Sequence, residues 1–479
     1  MKSILLRNDI IAAQATPFGV SAIAAVRVSG KDCLPLALEF FSQKTGSASR
    51  TLEPASLRPR RLYHGFWKNA EGRWVDEVQI VFYRAPFSFT GEDMVEIFTH
   101  GGFLPVKMVL KTLFEKGARP AEPGEFSFRA FVNKKIDLIG AQTINALIHT
   151  ASPSIEEVLA RQLYDRQEQP IFDIRERLLG LSASLEVAFD YPEDHDAEHP
   201  DRIAQAVAKI AQSLEAVIEK AEIAERLNQG LSVVICGRPN VGKSTLLNAL
   251  LGEDRAIVSE VPGTTRDYLS ESFLFQGLYI RLVDTAGLRE TRDTIETLGI
   301  RKTLELIDRA DLILYLLDPE VDSNEEAPGM WESLRKKRKI ILINKRDKYP
   351  ETDELELAKA LKGKIEALTD PNAGPDPVFS ISALNRTGLS PLKERMKGIL
   401  SEVSSVEEGT MWVPAFQIDL LKRAHTILWE GMARFRETGM YETLGQDLRE
   451  TVEILDGITG RSFNEDILQT IFSQFCVGK

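Results

Sequence analysis

The apolar positions change period along the chain, and each change predicts a change of element. Early on, short apolar runs alternate with turns. Residues 24–28 (Ala-Ala-Val-Arg-Val) and 78–83 (Val-Gln-Ile-Val-Phe-Tyr) are bounded by Gly, Pro or charged residues and read as strands. Phe103–Glu115 reads as a helix, so residues 1–119 predict a small α/β domain. From about Ile155 the pattern turns helical. Ile203, Val207, Ile210, Leu214, Val217, Ile218 and Ala221 fall near a 3.6-residue spacing and draw one apolar stripe, with Gly230 as its stop. Between 231 and 400 strands alternate with helices, the mark of a parallel sheet. Beyond that the helical pattern returns, with Leu420, Leu421, Ala424, Leu428 and Met432 on one face. The simplest architecture is multidomain α/β plus all-α. An N-terminal domain (1–119) precedes a helical domain in two pieces (120–230 and 401–479), and an α/β unit (231–400) is inserted between the pieces. No internal repeat is visible.

The inserted unit carries the clearest chemistry. Val233-Val234-Ile235-Cys236 is a buried-type strand that runs into Gly237-Arg238-Pro239-Asn240-Val241-Gly242-Lys243-Ser244. This is a P-loop pattern in the strand–loop–helix context it requires. The glycines let backbone N–H groups turn toward phosphate oxygens, Lys243 offers a charge to the β and γ phosphates, and Ser244 offers a hydroxyl to Mg²⁺. A second strand ends in Asp284-Thr285-Ala286-Gly287, with Asp284 placed to support Mg²⁺ and the Gly287 N–H to meet the γ-phosphate. A third ends in Asn344-Lys345-Arg346-Asp347. A carboxylate at Asp347 accepts both N1–H and the 2-amino group of guanine, a pair that adenine lacks. Ser382-Ala383-Leu384 follows another strand and offers its backbone to guanine O6. Their order and spacing are those of a Ras-like G domain that binds GTP. The expected nucleotide contacts are Asn240, Val241, Gly242, Lys243, Ser244 and Thr245, then Ser259, Glu260, Val261, Pro262, Gly263, Thr264 and Thr265, and then the three later motifs.

Hydrolysis poses a problem. The position after Gly287 often carries a glutamine that orients the attacking water, and here it is Leu288. Either turnover is very slow, or another group takes the role, with Glu290, Asp293 and Glu296 as acidic candidates downstream. Thr265 is the better placed switch threonine for Mg²⁺. The charge that develops between the β and γ phosphates needs a cation, which Arg238 or Arg266 could supply. Asn240 suggests another solution, because its side-chain carbonyl can ligate a monovalent ion.

Composition narrows the setting. The 479 residues suit roughly three domains of ~100–200 residues each. A net charge of −12 argues against a broadly basic coat, while leaving room for a local basic face. Two short basic runs, at 58–61 and 335–339, read as solvated surface. Cys33, Cys236 and Cys476 are widely spaced and predict neither a disulfide framework nor a zinc site, which fits a reducing, cytoplasmic location. Arg7, Asn8 and Asp9 break up any leader, the uncharged stretch after them is wrong for a spanning helix, and the C-terminal cysteine fits prenylation poorly. The tract 193–201 has two histidines among carboxylates, but Pro200 and its charge density read as a solvated loop rather than a metal site.

Over essentially its whole length, and not only in the G domain, the chain resembles the MnmE (TrmE) family of tRNA-modifying GTPases. The resemblance rests on residues 9–17 and 26–30, on Ser88-Phe89-Thr90-Gly91-Glu92-Asp93-Met94-Val95-Glu96 with His100-Gly101-Gly102, on Pro123-Gly124-Glu125-Phe126 with Lys135-Ile136-Asp137-Leu138, and on the terminal Cys476-Val477-Gly478-Lys479. It implies an N-terminal α/β folate-binding domain that forms a homodimer, a discontinuous helical domain and an inserted G domain. It implies contacts to 5,10-methylene- or 5-formyl-tetrahydrofolate at Arg27, Glu96, Lys135 and Lys479. A glutamate suits the amino-pyrimidinone edge of a pterin, and cations suit a glutamate tail. Without the resemblance each would read as an ordinary surface ion pair. Cys476 matches the family's tail cysteine, with a buried inert thiol as the other reading. The family also implies K⁺ held by Asn240, Ser259, Val261 and Thr264, Mg²⁺ held by Ser244 and Thr265, and Glu296 as the residue that orients water, alongside Lys243 and Thr265 in catalysis. The implied partners are tRNA and the FAD-dependent MnmG (GidA) subunit in a heterotetramer or larger complex, with no membrane. Pro262 stands where the family often has alanine, and Ser21-Ala22 replaces a Gly-Gly pair. The rival expectation is a GTP-dependent switch that binds RNA or ribosomes without modifying them.

Overall fold

The computed structural model describes residues 9–45, 48–165, 170–190, 200–252, 270–284, 296–320, 330–349, 354–370, 375–462 and 465–478. By its internal contacts the chain divides into two compact units. One comprises Met1–Asn145, Ile174–Ala211 and Leu420–Lys479, the other Ala146–Asp173 and Gln212–Asp419.

The first unit is built on a mixed sheet of β1 (Ile11–Gln14), β2 (Ser21–Ser29), β3 (Phe41–Thr45), β4 (Ala48–Thr51), β5 (Leu62–Lys68), β6 (Trp74–Tyr83), β7 (Met94–Gly101) and β8 (Arg119–Pro120), in the spatial order 4-3-5-6-7-2-1-8. The strand expected at 24–28 lies within β2, and that at 78–83 is the second half of β6. The sheet has two unlike faces because side chains alternate along each strand. Val26, Val28, Val95 and Ile97 point into a core closed by α1 (Cys33–Leu38) and α2 (Phe103–Glu115), the latter as expected. Arg27 and Glu96 point the other way and are direct partners across the β2–β7 ladder. That second face is covered by α3 (Glu125–Val132), whose Phe126 packs with Ile11, Ala13 and Ala121.

The helices α4 (Leu138–His149), α5 (Pro153–Tyr164), α6 (Pro170–Asp190) and α7 (Pro200–Gln229) follow. The seven stripe residues of α7, Ile203 to Ala221, are all buried, as the spacing predicts. After the second sheet the chain returns to helix in α14 (Ala415–Thr438), α15 (Tyr441–Thr459) and α16 (Glu465–Ser473). Gly431 lies so close to α15 that a Cβ there would stand 2.4 Å from Asp447 Oδ2, and Arg434 pairs with the same carboxylate at 2.9 Å. A phenylalanine cluster seats α16 on α3: Phe472 meets Phe128 edge-on at 5.5 Å and Phe131 at 6.0 Å between centroids.

The second unit has a sheet of β9 (Leu231–Gly237), β10 (Ser270–Phe275), β11 (Leu278–Asp284), β12 (Leu312–Leu317), β13 (Lys339–Ile343) and β14 (Val378–Ser380), in the order 10-11-9-12-13-14. All neighbours are parallel except β10 with β11. The helices α8 (Lys243–Leu251), α9 (Glu296–Arg309), α10 (Met330–Arg335), α11 (Glu354–Ala360), α12 (Lys362–Leu368) and α13 (Leu389–Val403) alternate with these strands. Strands β9, β12 and β13 are buried throughout except at Gly237, which is why they read as continuous apolar runs. One expectation fails in part here. Lys339 of the second basic run is buried and pairs with Asp376 at 3.1 Å, because it opens a central strand instead of lying on a solvated face. The tract 193–201 falls almost wholly outside the described residues.

Candidate functional site

The nucleotide loops lie at the carboxyl ends of β9, β13 and β14, the position at which open α/β sheets bind ligands. Between β9 and α8 the backbone takes left-handed or extended-positive turns at Gly237 (φ 141°), Asn240 (φ 62°) and Gly242 (φ 99°). A Cβ at Gly237 would stand 2.6 Å from Leu316 O, so only glycine lets the loop pass the neighbouring strand. Lys243 is buried and donates to Gly237 O (3.0 Å) and Arg238 O (2.7 Å), holding its ammonium inside the loop. Asn344 braces the site: its Nδ2 donates to Val241 O at 2.7 Å and its Oδ1 accepts from Ala383 N–H at 3.0 Å. One side chain thus ties the phosphate loop to the guanine loop. Ser382 Oγ donates to Asp347 Oδ1 and orients that carboxylate. Lys345 Nζ pairs with the buried Asp318 at 2.6 Å, a partner not expected from the motifs. Leu384 is 73% exposed at the rim.

The structure therefore brings together Asn240, Val241, Gly242, Lys243, Ser244 and Thr245 with Asn344, Lys345, Asp347, Ser382, Ala383 and Leu384. Asp284 ends β11 beside Ile235 of β9, and Glu296 opens α9. Ser259, Glu260, Val261, Pro262, Gly263, Thr264, Thr265, Thr285, Ala286 and Gly287 lie outside the described residues, as do Arg266, Leu288, Glu290 and Asp293. Asn240 and Ser244, the residues expected at the K⁺ and Mg²⁺ sites, lie in the loop between β9 and α8 and at the start of α8. The other expected ligands, Ser259, Val261, Thr264 and Thr265, lie outside the described residues.

A second cluster forms in the first unit. Arg27 donates from Nε (3.1 Å) and Nη2 (2.9 Å) to Glu96 Oε1, and Tyr83 Oη donates to Glu96 Oε2 at 3.2 Å. Both side chains are about five-sixths buried, at 16% and 17% exposure. The guanidinium lies 5.0 Å from the Phe89 ring centroid and 5.8 Å from that of Phe126, a cation–π setting. Burial, together with the Glu96 charge that Tyr83 faces, holds the Tyr83 hydroxyl above its ordinary pKa. The stem of Lys135 runs along Gly91, where a Cβ would stand 3.1 Å from Lys135 Cγ. The chain's last turn reaches the same place. Arg27 Nη1 donates to Gly478 O at 3.3 Å, and Gly124 N–H donates to Cys476 O at 3.4 Å. Cys476 is exposed, which overturns the reading of a buried inert thiol. Lys479 lies outside the described residues.

Behind the cluster is a charge network that sequence reasoning missed. Arg129 bonds Asp9 Oδ1 (2.8 Å), Glu92 Oε2 (3.0 Å) and Glu125 Oε1 (3.0 Å), while Arg119 Nη1 bonds Glu125 Oε2 at 2.8 Å. Ser29 Oγ joins Thr90 Oγ1 at 2.7 Å and Glu92 at 2.9 Å. The loop 88–93 is thereby fixed to the end of β2 and to α3, which sets Phe89 beneath Arg27. The signals in the sequence were the dense run of polar residues at 88–93 and the four-residue spacing of Glu125 and Arg129.

The sheet order, the P-loop and the Asn-Lys-x-Asp loop together define a G domain of the P-loop GTPase class, carried in a longer chain with an N-terminal α/β domain and a helical domain. Residues 10–135 match the family model described as the GTP-binding protein TrmE N-terminus, and residues 138–476 match the MnmE helical domain. The chain is 39% identical over 472 residues to the tRNA modification GTPase MnmE of Thermotoga sp. (strain RQ2), covering 98% of this chain and 100% of that protein. It is 36% identical over 478 residues to the protein of the same name from Aquifex aeolicus (strain VF5), covering 99% and 100%. The chain belongs to the MnmE (TrmE) family of GTPases and is a GTP hydrolase.

Proposed function

We propose that this GTPase acts in modifying C5 of the tRNA wobble uridine, using a one-carbon unit carried on tetrahydrofolate and working with the FAD-dependent partner MnmG. The observation that carries the reading is the joining of two sites in one chain: a guanine-nucleotide site, and the Arg27–Glu96 cluster that residues from both ends of the chain assemble. The second site fits a reduced pterin. Glu96 presents two carboxylate oxygens to a donor fork, Phe89 and Phe126 supply apolar walls, and Lys135 supplies a cation at the rim. When bound, the folate would supply the carbon for the new substituent. Glu96, Arg27 and Tyr83 would orient it, and the tail 476–478 would border it.

GTP turnover would open and close the G domains instead of forming a bond in the product. Asn240 and the switch-I residues would hold K⁺ in the place of an arginine finger, and Glu296 would orient water in a chain that has Leu288 where glutamine often stands. A homodimer through the N-terminal domain is supported by an exposed apolar patch. Phe18, Val20, Ile23, Phe103 and Leu104 are all exposed, and the pairing of Ser21 with Gly101 brings their segments together.

Equilibrium dialysis with 5-formyl-tetrahydrofolate tests the proposal. The wild-type chain should bind it, and Glu96→Gln should weaken binding by about tenfold or more, the loss of one charge-assisted hydrogen-bonding partner. No binding to the wild-type protein would remove the folate role.

A further inference from the structure

Four arginines gather at one end of the eight-stranded sheet, next to the Arg27–Glu96 cluster and separate from it. Arg58, Arg60 and Arg61 lead into β5, and Arg84 leaves β6. Arg60 N–H donates to Phe82 O at 2.7 Å, so the two tracts run side by side. All four side chains are exposed. Three of them lie on aromatic rings: Arg60 is 5.5 Å from the Phe87 centroid, Arg61 5.7 Å from Tyr63, and Arg84 6.0 Å from Phe82. Phe87 is itself 66% exposed, with its carbonyl held by Arg60 Nη2 at 3.3 Å. Among the described residues none of the four forms an ion pair with a carboxylate, although the chain as a whole carries a net charge of −12. The acidic groups that border the patch are already engaged, Asp93 by Ala85 N–H at 2.8 Å and Glu96 by Arg27 and Tyr83.

Unpaired cations on an acidic protein mark a place for a polyanion. Guanidinium groups braced on rings, with an exposed phenylalanine among them, suit one polyanion in particular. Single-stranded RNA presents phosphates to arginine and unstacked bases to aromatic faces. The patch also adjoins the proposed one-carbon site, because Arg84 follows Tyr83, whose hydroxyl bonds Glu96. We propose that Arg58, Arg60, Arg61 and Arg84, with Phe87, form the docking surface for a single-stranded segment of RNA and set one unstacked base beside the Arg27–Glu96 cluster. This rests on the RNA-modifying reading above. The competing polyanion, a poly-γ-glutamate chain on a folate, would have no use for the exposed Phe87 ring.

The test uses the full-length chain and an unmodified tRNA transcript, with Kd measured across a range of KCl concentrations. Arg60 is left intact because its φ of 60° and its backbone bond make it structural as well. In the triple variant Arg58→Glu, Arg61→Glu, Arg84→Glu, tRNA affinity should fall by about tenfold or more near 0.1 M salt. The slope of log K against log salt should shrink by about 2, at roughly 0.7 per phosphate contact for single strands. Phe87→Ala should weaken binding with the slope unchanged. Binding of monoglutamyl 5-formyl-tetrahydrofolate and GTP hydrolysis should be unaltered in both variants. If the triple reversal fails to fold, the neutral pair Arg61→Gln, Arg84→Gln should still reduce the slope, by about 1.4. Equal tRNA affinity and slope in wild type and variant overturn the proposal. So does a loss confined to tetraglutamyl folate, which would make the patch a folate-tail site. Wobble-uridine modification in cells lacking the whole protein decides the broader reading separately. A modification defect there, beside unchanged tRNA binding by the triple variant, sinks the surface alone.

Discussion

Glu125 has a fully buried side chain and sits between two guanidinium groups, those of Arg119 and Arg129. Burial works against its charge, but the hydrogen bonds from Arg119, from the Glu122 N–H and from Arg129 outweigh that cost and hold its pKa below the ordinary carboxylate range. A lowered carboxylate pKa stabilises the fold above the unfolded value of 4.5 and loses that contribution as pH falls through the folded value. Thermal unfolding followed by circular dichroism should therefore show the N-terminal domain weakening as pH drops below about 4.5. Glu125→Gln should cost about 3 kcal/mol at neutral pH, because it removes the buried carboxylate shared by buried Arg129 and half-buried Arg119, and should flatten the acid dependence. A variant as stable as wild type would show the network to be incidental. This network was illegible in the sequence for a physical reason. Glu125 and Arg129 stand four apart on α3, a pairing that helical spacing allows, but Asp9 and Glu92 come from two other stretches, and nothing in the spacing says that a sheet edge will bring them to that helix. The P-loop, by contrast, is a local motif whose residues touch one another within one turn, so it could be read directly.

At the scale of elements, α16 delivers the chain's tail to the proposed folate site. Its Phe472 is buried against Phe128 and Phe131 of α3, and the turn after it places Gly478 against β1. Gly478 has φ of 97°, and a Cβ there would stand 2.4 Å from Gln14 O. Gly478→Ala should thus lift the tail from Arg27, reduce 5-formyl-tetrahydrofolate affinity by about tenfold, and leave GTP hydrolysis and the unfolding temperature near wild type. Unchanged folate affinity would show that the tail is no part of the site. The helical stripe of α7 and the strands β2 and β6 were legible because period and burial agree along one element. The docking of α16 on α3 was not, since it depends on which face of one short helix meets another more than three hundred positions away. The Arg27–Glu96 pairing needed the β2–β7 register, which no single strand encodes.

At the scale of the whole molecule, the potassium role proposed for the G domain makes its hydrolysis selective for that cation. GTP hydrolysis by the wild-type protein should rise several-fold in potassium over sodium at equal ionic strength, and Asn240→Ala should abolish the difference. Equal initial rates in the two salts would refute the role given to Asn240. The overall plan, an α/β unit set within helical segments, could be read from changes of period alone. The proposed partner surfaces could not, because exposure of Phe18, Val20 or Phe87 becomes meaningful only once the sheet places them.

The bond from Arg27 to Gly478 spans 451 positions. On a ribosome adding ~5–20 residues per second, the first participant waits roughly 20–90 s for the second. For the last part of that interval, once Leu384 has been added, the emerging G domain has all the motifs for nucleotide, while the cleft beside Glu96 still lacks one border. On the proposed reading, a prematurely terminated product would consume GTP with no seat for the carbon donor, and only translation through to the tail would yield a molecule able to do both.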